Sequence, residues 1–160
     1  LEALLAYLDN LSADTRRRFG PHPFDRQSVI DFYDRPAEHW GYVAQDIDTG
    51  VLVAYSIIKT GYLQHDKPRL EGYGLKLDEK TDCTYAPSVA DDWQSQGVGK
   101  SLWNFSLRDL KAQGLKRVIL WGGVQSDNER AVHFYRKNGF RWLGRFEYNG
   151  WNDDMILEIR

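Results

Sequence analysis

Residues 94–99 read Gln94, Ser95, Gln96, Gly97, Val98 and Gly99, a run whose chemistry is anion binding. The two glycines fall where a strand should end and a helix begin. A helix N-terminus presents N–H groups without intrahelical partners and a partial positive charge. Glycine lets an anion's oxygens reach that backbone with no Cβ in the way. The run therefore predicts a bound phosphate or pyrophosphate; the plainer alternative is a tight glycine turn that binds nothing. Two nucleotide motifs fit in part. Gly99, Lys100 and Ser101 match the end of a P-loop, but the glycine required five residues before Gly99 is Gln94. Gly97, Val98 and Gly99 open a dinucleotide fingerprint, which then requires glycine where Leu102 stands.

The elements that must position this run follow from periodicity and punctuation. Leu1, Leu4, Leu5 and Leu8 recur at helical spacing. Ser12 is placed to cap a second short helix ending near Gly20, and Asp25 to open a third through Phe32 or Tyr33. Residues 40–47 and 51–59 read as strands around the turn Asp48, Thr49, Gly50. Residues 61–67 read as a loop, residues 70–77 as a strand or strand extension, and residues 82–90 as another strand. Within the last, Pro87 removes a ladder donor and suggests a bulge or splayed edge. A helix over residues 97–113 carries Val98, Leu102, Trp103, Phe105, Leu107 and Leu110 on about half its circumference and stops at Gly114. Residues 117–121 are a short buried strand. Ser126, Asp127, Asn128 and Glu129 form a capping box for the next helix, which Asn138 and Gly139 close. Residues 140–148 and 154–159 finish as strands around Asn149 and Gly150. The order gives a mixed α/β fold in one domain spanning residues 1–160.

Composition narrows the partners. The chain has 160 residues and a formal net charge of −2, which argues against nucleic acid. Arg16, Arg17 and Arg18 are the one dense basic run and read as a solvated helix face, with a polyanion contact as the alternative. Cys83 is the single cysteine, so no intrachain disulfide forms, and a reducing cytoplasmic setting fits. No apolar run approaches the roughly 20 residues of a membrane span, and no signal peptide is visible. His22, His39, His65 and His133 lack ligand-type spacing, so no metal is expected.

The loop fits a further pattern, Gln/Arg-x-x-Gly-x-Gly/Ala. A second signature follows downstream, in which Asn128, Ala131, Phe134, Tyr135, Gly139 and Phe140 fall in order. Together they resemble the GNAT superfamily of acyl-CoA N-acyltransferases. The resemblance spans residues 40–159 and is strongest over residues 84–140. It implies a central, mostly antiparallel, splayed sheet with helices on both faces. It also implies acetyl-CoA as cosubstrate and direct attack of an amine through a tetrahedral intermediate, without metal. The family normally carries a strand before its first helix. Here the chain opens on helix-like residues 1–8, so the expectation is that this strand is trimmed, disordered or lacking from the sheet.

By this resemblance, the strand around Val89 pairs its backbone with the pantetheine arm, and the Val89 or Ala90 N–H faces the thioester carbonyl, where a donor stabilises the oxyanion. Gln94 belongs to the motif. The backbone of Gln96, Gly97, Val98, Gly99, Lys100 and Ser101 binds the pyrophosphate, with Lys100 adding charge or facing solvent. Asn128 and Tyr135 lie seven residues apart, two turns on one face and about 10 Å along the axis. Asn128 would touch the pantetheine arm, unless it serves only the helix end. Tyr135 would be the general acid for the leaving thiolate, against the alternative of a packed aromatic. The attacking amine must lose a proton, and Glu71, Asp82 and Tyr85 on the central strands are candidate bases, with Glu71 preferred, against a structural role as the alternative for each. Cys83 reads as a small core residue. Trp40, Tyr73, Trp142, Tyr148 and Trp151 either line the acceptor end or pack the core. The partner expected is a small-molecule or protein amine, with a homodimer as the expected form of any assembly. The competing class is a non-catalytic acyl-CoA-binding module.

Overall fold

The computed structural model describes residues 1–34 and 38–160. The elements run α1 (Glu2–Asp9), α2 (Ala13–Arg18), α3 (Arg26–Tyr33), β1 (His39–Gln45), β2 (Leu52–Thr60), α4 (Lys67–Gly72), β3 (Asp82–Val89), α5 (Val98–Ala112), β4 (Arg117–Leu120), β5 (Val124–Gln125), α6 (Glu129–Lys137), β6 (Arg141–Glu147) and β7 (Trp151–Glu158). Short 3-10 turns occupy Gln64–Asp66 and Asp91–Trp93. The chain divides into two compact units, Leu1–Ile58 with Ala86–Leu110, and Lys59–Tyr85 with Lys111–Arg160. Strands β2 and β3 run through both. The strand order is β1-β2-β3 in the first unit and β3-β4-β7-β5, with β6 on β7, in the second. Strand β4 lies parallel to β3, whereas β4, β5 and β6 all lie antiparallel to β7. The fold is mixed α/β with a mostly antiparallel sheet.

In the first unit, capping fixes the helices. The Ser12 side chain accepts the Thr15 N–H and starts α2, and Asp25 accepts the Ser28 N–H and starts α3. Alternation along β1 then sends neighbouring residues to opposite faces. A Cβ on Gly41 would stand 3.0 Å from both the Tyr33 hydroxyl and the Ser56 carbonyl, so glycine lets α3 lie against this strand. The next residue, Tyr42, points the other way. Its hydroxyl donates to Asp109 on α5, and its ring meets Phe105 edge-on at 5.8 Å. Helices α1–α3 therefore cover one face and α5 the other. Helix α5 buries Leu102, Trp103, Ser106 and Leu110, a stripe at the period of an amphipathic helix.

In the second unit, Tyr62, Leu70, Ile119 and Ile156 form a buried cluster, with Tyr73, Leu75, Leu77 and Leu143 packed against it. The strand expected over residues 70–77 is not there; α4 covers Lys67–Gly72 with proline in its first turn. The reason lies on β7. Asp154 is buried and needs compensation for its charge. Arg69 meets it with Nε at 2.7 Å and Nη2 at 3.1 Å, and the Tyr73 hydroxyl donates to it at 2.7 Å. Residues 69 and 73 lie about 6 Å apart along a helix but about 13 Å apart along a strand. Only the helix brings both to one carboxylate. The hairpin of β6 and β7 turns through residues 148–150, with positive φ at Asn149 and Gly150. Strand β7 begins at Trp151, earlier than the pattern suggested. The two-residue β5 had no sequence signal; it pairs Val124 with Asp153 and Gln125 with Asn152.

Candidate functional site

The glycine run does open a helix. After β3 the chain makes a 3-10 turn, Gln94 extends, and Ser95 and Gly97 both take positive φ, 62° and 85°. Positive φ at serine is uncommon, and such strain collects where a backbone must hold a special shape. The Gly97 carbonyl accepts the Ser101 N–H at 3.0 Å, which makes Gly97 the residue that starts α5. Helix geometry then leaves the first N–H groups, those of Val98 and Gly99 among them, without intrahelical partners. The Ser101 N–H, expected to meet a ligand, is instead spent within the helix. Apart from its two neighbouring residues, nothing lies within 4 Å of where a Gly97 Cβ would be, so space stands open beside this glycine. Gln96 and Lys100 are exposed beside it.

On β3 the two expected backbone donors differ. The Ala90 N–H donates to the Val53 carbonyl at 2.8 Å and is not available to a thioester. By strand alternation, the Val89 N–H faces the opposite edge. On that edge Pro87 has no N–H to offer, and the register with β4 ends at Tyr85 and Leu120. Gln94 does not reach outward. Its side-chain amide donates to the Val89 carbonyl at 3.1 Å and to Thr15 Oγ1 at 3.4 Å, so it shapes the loop from inside.

In the second unit, Asn128 is itself the cap of α6, and its Oδ1 accepts the Ala131 N–H at 3.3 Å. The cap expected at Ser126 therefore falls two residues later, at Asn128, without the reciprocal partner of a capping box. Tyr135 is buried at 7 % exposure and stands edge-on to Phe134 and Phe140 at 5.7 and 5.2 Å. Burial pushes its hydroxyl pKa upward, so it stays protonated and has a proton to donate.

The three candidate bases occupy different settings. Glu71 is on α4, not on a strand, with its side chain half exposed and 4.0 Å from Lys67. Asp82 is buried against Arg117 at 2.9 and 3.0 Å and also accepts the Asp78 N–H, a set of partners that makes it structural. Tyr85 is buried in the core. Cys83 is fully buried, and burial pushes its thiol up to about 12. Trp142, Tyr148 and Trp151 are exposed at 51 %, 72 % and 56 %, so core packing does not explain them. Tyr73 is engaged with Asp154, and the Trp40 indole donates to the Tyr42 hydroxyl. Among the described residues, no group of three His, Cys, Asp or Glu side chains could hold a metal, and no helix is long and apolar enough to cross a membrane.

Sequence reading missed Asp91. Its carboxylate accepts from the Ser12 N–H, the Ser12 hydroxyl and the Thr15 hydroxyl, partners up to 79 positions away. No local pattern signals such a contact.

The acetyltransferase (GNAT) family profile matches residues 5–140. A mycothiol acetyltransferase from Nocardiopsis dassonvillei is 32% identical over 133 residues, covering 80% of this chain and 37% of that protein. The chain spans less than two-fifths of the length of three mycothiol acetyltransferases it matches, 37%, 39% and 35%. The GNAT domain of S. lividans PAT superposes with a TM-score of 0.73 at 16% identity, over 98% of this chain and 84% of that one. yncA from Salmonella typhimurium, solved with its cofactor acetyl-CoA, superposes with a TM-score of 0.64 at 14% identity, over 86% of this chain and 75% of that one. A mixed α/β fold with a glycine turn opening α5 defines the class. The chain belongs to the acetyltransferase (GNAT) family.

Proposed function

We propose that this chain transfers an acetyl group from acetyl-CoA to a primary amine on a small molecule or protein. The observation that carries the reading is the start of α5, where Gly97 at positive φ leaves open space beside N–H groups that helix geometry cannot satisfy. An acyl donor bearing a pyrophosphate suits that arrangement. The Val98 and Gly99 N–H groups bind the pyrophosphate, and Lys100 adds charge. The Val89 N–H donates to the thioester carbonyl and strengthens its bond as that oxygen gains charge. The neutral amine attacks directly, and the Tyr135 hydroxyl gives its proton to the departing thiolate. A thiol with a reference pKa near ~8.5 is already a fair leaving group, so the acid contributes at the low end of its usual range. The amine loses its proton to a base, for which Glu71, half exposed on α4, is the candidate.

The test is a thiol-release assay with acetyl-CoA across a panel of amines that includes the acceptor of the mycothiol acetyltransferases. Amine-dependent release is the expected result. Calorimetry without heat at millimolar acetyl-CoA would overturn the reading. Binding without release from any amine would favour the non-catalytic acyl-CoA-binding module.

A further inference from the structure

The glycine loop carries two residues at positive φ, Ser95 and Gly97. Glycine takes that conformation freely, but at Ser95 it is strained and persists only where the surroundings over-determine it. Three side chains supply the ties. The Gln96 amide donates to the Asp92 carbonyl at 2.7 Å and holds the loop to itself. The Gln94 amide reaches back to the Val89 carbonyl and sideways to Thr15. Asp91 reaches furthest. Its Oδ2 accepts the Ser12 N–H at 2.8 Å, and its Oδ1 accepts the Ser12 hydroxyl at 2.8 Å and the Thr15 hydroxyl at 2.6 Å. Thr15 Oγ1 thus joins the two ties, accepting from Gln94 and donating to Asp91. All of these residues belong to one compact unit.

We propose that Asp91 is a positioning residue for the acyl-donor loop: with Gln94 and Thr15 it latches the loop to the start of α2, so that α2 sets where the α5 N–H groups meet the donor's pyrophosphate. The inference rests on the acetyl-CoA reading above. Asp91 touches no substrate; it acts through the path of residues 92–97. Its three bonds have an ionised acceptor and are the strong kind. They are also long-range, so the loop's shape depends on a helix that the motif itself does not include.

The experiment compares two acyl donors, acetyl-CoA and acetyl-pantetheine, which shares the thioester and amide arm but lacks the pyrophosphate. Asp91→Ala is expected to raise KM for acetyl-CoA about tenfold, the equivalent of one lost charge-assisted bond, with kcat little changed. KM for acetyl-pantetheine should stay at the wild-type value. Asp91→Asn keeps one acceptor oxygen and should recover part of the loss. Thr15→Val removes the shared hydroxyl without touching the loop, so it tests the latch even if Asp91→Ala fails to fold. Combined with Asp91→Ala, its effect should be less than additive. Equal changes for both donors, or none for either, would overturn the latch while leaving the acetyltransferase reading intact. A wild-type protein that neither binds nor turns over acetyl-CoA would defeat both.

Discussion

Tyr135 and His22 show how burial decides what a polar side chain can do. Tyr135 is enclosed by Phe134 and Phe140, and its raised pKa keeps the proton in place. Tyr135→Phe preserves the ring packing and removes the proton. It is expected to lower kcat by about 10²-fold, the low end of acid catalysis, while leaving the dissociation constant for acetyl-CoA unchanged; single-turnover kinetics beside calorimetry checks this. His22 is also buried, with Nδ1 2.7 Å from the Pro23 carbonyl and Nε2 2.9 Å from the Tyr55 hydroxyl. Burial lowers its pKa, partly offset by the Pro23 bond. The unfolded chain takes up that proton near pH ~6.5. Below this value the unfolded state binds more protons than the folded one, so stability falls as pH drops through the folded value. Urea midpoints at pH 7 and pH 5 should differ less in His22→Gln than in wild type. Both side chains are plain in the sequence, but only Tyr135 could be singled out there, because the family signature passes through it. His22 is set in part by Tyr55, 33 positions away.

At the scale of elements, local chemistry was legible and long-range chemistry was not. Ser12 and Asp25 announce α2 and α3, and Asn149 with Gly150 announces the last hairpin; each signal acts within a few residues of itself. Residues 70–77 mislead because Leu75 and Leu77 alternate as a strand would, while the constraint that makes α4 a helix comes from Asp154. Pro68 was the available clue, since proline suits a helix's first turn. The same segment yields a prediction. A Cβ on Gly144 would come within 2.3 Å of the Tyr73 ring, which the bond to Asp154 holds in place. Gly144→Ala should cost about 1–3 kcal/mol of stability, read as a lower denaturation midpoint. Gly97→Ala meets no such obstruction, and its penalty comes from φ alone, about 1–2 kcal/mol. It should weaken acetyl-CoA binding more than it lowers stability, which calorimetry and urea titration separate.

Across the whole chain, the glycine loop and the α6 signature were enough to place the sequence in its family, because each is a short motif whose spacing a helix start fixes. The ties that shape the loop escaped notice because their partners lie at the far end of the sequence. Acceptor recognition left little trace. The exposed Trp142, Tyr148 and Trp151 sit at the β6–β7 hairpin and its turn, and no spacing rule marks such a surface. One global outcome follows from donor binding. A ligand at 100 times its dissociation constant adds about 2.7 kcal/mol, which for a chain of this size corresponds to a rise of roughly 5–10 °C in Tm. A melting scan with saturating acetyl-CoA should show it, and Gly97→Ala should blunt it.

Cys83 gives the chain an unplanned convenience. Its sulfur is fully buried on β3, donating to the Arg117 carbonyl at 3.5 Å, and its pKa is pushed up to about 12. A disulfide reagent added to the folded protein should find no thiolate to attack, so every equivalent of colour in a turnover assay belongs to released coenzyme. The same sulfur becomes accessible when β3 detaches. Its labelling rate under native conditions is then a clock for opening of the strand that carries Val89.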